Sequence, residues 1–346
     1  EYQLPNWFTK ALAADRKSLF RGDAFRSLAF IVAAFIMLYF GVWKKTPLAF
    51  YTFFIVMITI DLFVVNKRYL SKENYQSNRT NTNLAMNEAD KEILKDKGYY
   101  RVYNIQPGAF TSEARTSNFH HSLGGYHGAK LKRYQDLYDS CLFNETNQLI
   151  TDAQTGALDF RKYGVMNMLN AKYIVYGPNR DNIIVNPAAN GAAWFVKEVR
   201  TVNSPNEELR SLCSLNTHDV AVIDNSAFTI ETPAYDSTAS IALLEHTPRY
   251  KKYESSSAVN GVVVFSEIYY EKGWQAFIDG NETPIIRADY VLRALQVPAG
   301  IHTIEFKFEP KAYTVGNKVT MASSWLTLLV LLGSIGLSVR KEKDSE

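Results

Sequence analysis

Between Gly261 and Pro310, apolar and polar residues alternate in short runs broken by turn residues at nearly regular intervals. Val262, Val264, Ser266 and Ile268 fall on one face of an extended segment; Val263, Phe265 and Glu267 fall on the other. A second run, Trp274 to Ile278, ends at Asp279-Gly280, two residues that tolerate positive φ and favour a tight hairpin. Pro284 to Arg287, Tyr290 to Val297 and Ile301 to Phe308 repeat the pattern, with Pro298-Ala299-Gly300 as the last connection. Together with Ser240 to Leu244 and Tyr250 to Ser255, these runs predict an antiparallel β-sandwich module over residues 238–310.

Continuous apolar runs flank this alternation. Val319 to Val339 is uncharged over 21 residues and is followed by Arg340-Lys341, which reads as a membrane crossing over 319–339. Lys311 to Lys318 would then be a short linker. Two further crossings are expected within 27–66, from Leu28 to Trp43 and from Leu48 to Val65, separated by the polar break Lys44-Lys45-Thr46-Pro47. Asp61 in the second run is either a functional intramembrane group or an interfacial one beside Lys67 and Arg68. Residues 1–26 are amphipathic and basic, as in a membrane-proximal segment. Residues 71–235 mix helical and extended patterns. They open with the low-complexity run Ser77 to Asn83, and residues 126–142 carry helical spacing. The fold class is therefore α+β: a membrane protein fragment in which transmembrane helices flank a mixed α/β region and a C-terminal antiparallel β-sandwich.

Composition narrows the classes. A mean hydropathy of −0.18 places most of the chain in water. A net charge of +3 is too small to argue for nucleic acid. The two cysteines, Cys141 and Cys213, either pair or stay free. The first residues, Glu-Tyr-Gln-Leu-Pro-Asn, read as the start of a C-terminal part of a longer protein. Three crossings put residues 71–318 on one side, and the Lys/Arg distribution leaves open which side that is.

Three of the six histidines lie in Phe119-His120-His121-Ser122-Leu123-Gly124-Gly125-Tyr126-His127, just ahead of Lys130, Lys132 and Arg133. A glycine-rich turn opening a cationic helix is a candidate site for a phosphate, a lipid-linked pyrophosphate or a sugar, formed by His120, His121, Tyr126, His127, Lys130, Lys132 and Arg133. The rival reading is a structural turn with a solvated basic face. No carboxylate or thiol lies at a convincing ligand spacing, so neither a metal nor any other cofactor is expected. In the sandwich, Trp274, Tyr290, Arg287 and Arg293 are candidates for a sugar platform, with cross-strand packing as the alternative. Asp279, Glu282 and Asp289 suggest a carboxylate pair for glycoside cleavage, but turn chemistry explains Asp279 better.

Ser266-Glu267-Ile268-Tyr269-Tyr270, Gly273-Trp274, Ile278-Asp279-Gly280, Pro284 to Tyr290, Val297 to His302 and Phe306 to Pro310 resemble the C-terminal end of the YfhO family of bacterial membrane proteins. Gly124 to His127, Leu169 to Ile174 and Ala14-Asp15-Arg16 look like its Bacteroidetes version. The resemblance implies a multi-pass protein of the bacterial inner membrane with an extracytoplasmic soluble region. It also implies a GT-C-like glycosyltransferase that takes sugar from a polyprenyl-phosphate donor to modify an envelope glycopolymer. The alternatives are a carbohydrate-binding or scaffold module without enzymatic activity, and a transporter accessory protein. The catalytic acids of GT-C enzymes lie in early loops with no counterpart in this sequence, so no catalytic residue is carried over.

Overall fold

In a computed structural model the described residues are 6–41, 44, 46–70, 72–75 and 85–343. The Ser77–Asn83 run lies outside them. The chain forms two compact units, 1–82 and 83–346.

In the first unit one helix, Asn6–Tyr39, runs through both the basic segment and the first apolar run. No proline interrupts it, so nothing in the sequence ends the helix earlier. A second helix, Pro47–Tyr69, carries the second apolar run, with Pro47 at its first turn. Asp61 is paired with Arg26 at 2.9 Å, and Asp23 with Arg68 at 2.6 Å, so two ion pairs join the two helices. Both helices are long and apolar enough to cross a membrane, as is Lys311–Ser334.

The second unit contains the sandwich expected from the alternation. One sheet has five strands: β7 (Ser240–Thr247), β8 (Tyr250–Ser257), β14 (Gly300–Phe308), β10 (Trp274–Ile278) and β11 (Asn281–Thr283), with β7 and β11 at its edges. The facing sheet has β12 (Ile286–Ala288), β13 (Leu292–Val297), β9 (Gly261–Ile268) and β4 (Ala193–Phe195). Asp279 and Gly280 take φ of 50° and 82° in the β10–β11 hairpin, as that dipeptide favours. Val263, Phe265, Leu295 and Phe306 fill the space between the sheets. Full burial of each aromatic there contributes about 1.5–3 kcal/mol.

The four-stranded sheet is buried on both faces. Val262, Val264, Leu292 and Ala294 join a second core with Met166, Leu169, Ile174 and Val222 from the mixed region. That region holds a three-stranded sheet, in which β2 (Ala171–Val175) pairs parallel with β1 (Arg101–Asn104) and antiparallel with β3 (Ile183–Val185). It also holds the parallel pair β5 (Glu198–Val202) and β6 (Val220–Asp224). Cys141 and Cys213 form a disulfide that ties the helical segment Tyr138–Leu142 to the end of the helix Pro205–Leu212.

Two elements differ from expectation. The helix read over 126–142 begins only at Lys132 and continues through Thr155. Ahead of it, residues 121–123 lie along β1, with Val102 N donating to His121 O and Leu123 N donating to Val102 O. A Cβ on Gly124 would meet the Phe110 backbone at 2.7 Å, so tertiary packing fixes this stretch as extended. Lys311 to Lys318, read as a linker, is instead the first part of one helix, Lys311–Lys343. Pro310 starts that helix, and no proline follows to separate linker from crossing.

Candidate functional site

Folding places eight of the sequence candidates in the linings of three cavities, and Tyr126, Trp274 and Arg293 in none of the three. In the first, of about 430 Å³, His120 and His121 meet His246 from β7. The His120 side chain is buried against Asp90, Nε2 to Oδ1 3.1 Å. His121 packs on Tyr99 and His246, and its imidazole is held below its ordinary pKa by burial and then by Lys251 and Arg101.

The second cavity, about 320 Å³, is lined by Arg101, His127, Lys130, Leu131, Tyr134 and Ile268, among others. Its geometry follows from the Gly124 turn. Phe110 stacks on Tyr138 at 3.6 Å and is parallel to Tyr134, whose hydroxyl donates to Leu123 O. Lys130 lies 4.3 Å over the Phe110 ring and donates to Phe110 O. Burial lowers the pKa of its ammonium. Arg101 donates to the carbonyls of Leu169 and Ser266. Among the described residues Lys130 is in no ion pair and no carboxylate lines the cavity, whereas the Arg101 charge is shared with the Glu267 carboxylate behind it. His127 is exposed, its Nδ1 accepting from Ala129 N, and Tyr126 is exposed without lining this cavity.

The third cavity, about 160 Å³, shares Leu131, Tyr134 and Ile268 with the second, so the two flank one apolar ridge. Lys132, Arg133, Arg287 and Tyr290 line it, again with no carboxylate. Arg133 covers the Tyr290 ring at 4.7 Å, and its Nη1 is buried with no hydrogen-bond partner among the described residues. Arg287 is held from behind by Glu208 at 3.3 Å and Asp224 at 3.5 Å. Burial raises the Glu208 carboxyl and pushes that of Asp289 up to about 8, which favours its protonated form.

The four platform candidates do not share a surface. Arg287 and Tyr290 belong to the third cavity. Arg293 lies 3.9 Å over the Trp274 ring at one end of the sandwich, and it is almost fully buried. There Lys251 pairs with Glu267 at 3.2 Å, and the Tyr99 hydroxyl donates to Glu267 at 2.6 Å. Burial would raise the Glu267 carboxyl, but Arg101 and Lys251 outweigh it and hold it low. Three cations (Arg101, Lys251 and Arg293) thus surround one carboxylate, and the Arg101 end of this group opens into the second cavity.

Arg101 is the residue that sequence reasoning missed. Its signal is a lone guanidinium inside the strand-like run Tyr99-Tyr100-Arg101-Val102-Tyr103.

Residues 214–320 match the family of the bacterial membrane protein YfhO. No curated protein and no solved structure matches the chain. The YfhO match covers β6 through the start of the last helix, and so includes Lys251, Glu267, Arg287 and Arg293. Arg101 and the cationic stretch from His127 to Arg133 lie outside it. The match and the three apolar helices make this a membrane protein. Among the described residues no group of three or more His, Cys, Asp and Glu side chains is arranged to hold a metal ion.

Proposed function

We propose that this chain is the C-terminal region of a GT-C-like glycosyltransferase of the bacterial envelope. In this reading its water-exposed unit holds the phosphate of a polyprenyl-phosphate-linked sugar, or the acceptor glycopolymer, in the paired cavities around Leu131, Tyr134 and Ile268. The observation that carries the proposal is the lining: Arg101, Lys130, Lys132 and Arg133 meet an apolar ridge with no carboxylate among them. Such a surface suits an anionic group joined to an apolar or sugar body.

The Cys141–Cys213 pair supports an extracytoplasmic location at the inner membrane, because disulfides persist in oxidising compartments. The test is complementation in cells of a deletion of the gene encoding this chain. Arg101→Ala with Lys130→Ala should abolish envelope glycosylation while the protein remains in the membrane at normal abundance. Unchanged glycan would refute the site.

A further inference from the structure

A fourth cavity, about 910 Å³, lies where β14 ends and the helix Lys311–Lys343 begins. Its walls are mostly apolar, and its polar groups include Arg249, Lys307, Lys311, Tyr250, Tyr313 and Glu309. Lys307 is already matched by Glu305 at 3.3 Å. Among the described residues Arg249, Lys311 and Glu309 are in no ion pair, which leaves one net positive charge. That balance complements the single negative charge of a phosphodiester.

The depth of the cavity is set by the chain itself. Lys311, which lines the cavity, is the first residue of the helical stretch Lys311–Ser334 that is long and apolar enough to span a bilayer. The cavity therefore sits where this helix enters the bilayer, at the level of the headgroups. Tyr313 is exposed within the first turn of the helix, as tyrosines are in interfacial belts. Phe308 is fixed against Trp274 with ring centroids 5.1 Å apart, giving the floor a rigid aromatic face.

We propose that this groove seats the phosphodiester headgroup of an anionic phospholipid of the surrounding leaflet. Arg249 and Lys311 hold the phosphate, and the acyl chains leave along the last helix. The lipid orients the sandwich on its membrane anchor and is separate from any group in the Arg101–Lys130 cavity.

The test is native mass spectrometry of the full chain in detergent micelles supplied with equal amounts of phosphatidylglycerol and phosphatidylcholine. The wild type should retain phosphatidylglycerol selectively. Arg249→Gln with Lys311→Gln should lower that retention roughly 30-fold, from about one headgroup-strength contact per cation. The charge-keeping Arg249→Lys should leave it unchanged. Equal retention of the two lipids overturns the proposal. So does undiminished retention by the double glutamine variant, or displacement of the lipid by millimolar inorganic phosphate.

Discussion

Replacing Cys213 with serine opens a loop whose ends are 72 residues apart. In the chain-entropy description, closing a loop of that length removes about 4 kcal/mol of conformational freedom from the unfolded state. The structure directs this loss to a specific place. The disulfide joins the helical stretch that carries Lys132 and Arg133 to the helix that carries Glu208, which in turn accepts from Tyr290 N and pairs with Arg287. The serine variant should therefore lose about 4 kcal/mol in denaturant unfolding of the full chain in micelles, read by near-ultraviolet circular dichroism. Reductant should impose the same loss on the wild type and none on the variant. In protein taken directly from its membrane, both thiols should resist alkylation until reduced. A loss under about 1 kcal/mol, or thiols that alkylate without reductant, would refute both the stabilising role and the oxidising location argued from it.

Other consequences are smaller in scope. Asp289 is fully buried with its carboxyl raised to about 8, so the folded state binds a proton that the unfolded state releases near the ordinary carboxylate pKa of about 4. Stability should fall as pH rises between those values, by up to about 1.4 kcal/mol per pH unit. Asp289→Asn, which keeps an acceptor for Val222 N and tolerates the φ of 49°, should remove that part of the slope in pH-dependent melts. Glu145, raised to about 7 by burial, should account for much of the slope that remains. Gly164→Ala puts a Cβ 2.2 Å from the Leu215 carbonyl oxygen, and should cost about 3 kcal/mol in the same unfolding assay. An unshifted midpoint there would mean that the Leu215 loop moves aside freely.

The sandwich was legible because its signals are local. Alternation assigned Val262 and Val264 to one face and Val263 and Phe265 to the other, and those residues enter two different cores. Asp279-Gly280 carries its own turn geometry. Nothing local announces that both faces of β9 are covered, or that β4, more than sixty residues upstream, completes its sheet. The start of the Lys132 helix was misplaced for the same reason, since the constraint on Gly124 comes from Phe110 rather than from its neighbours. The cationic stretch from Lys130 to Arg133 was visible as charge. Its division between two cavities, and the part played by Arg101, depend on β1 lying beside residues 121–123. Inward-facing charge was a usable signal: Glu267 shares its face with Val263 and Phe265, a position that demands the partners Lys251 and Tyr99 provide.

The central claim is that the cavity between Arg101 and Lys130 holds the phosphate of a polyprenyl-phosphate-linked sugar. Titration calorimetry of the full chain in micelles with a short-chain polyprenyl phosphate measures it most directly. Saturable binding that is weakened roughly 100-fold in Arg101→Ala with Lys130→Ala, about 1.5 kcal/mol per charge-assisted contact, is the predicted result. Equal binding by wild type and the double variant would contradict the account.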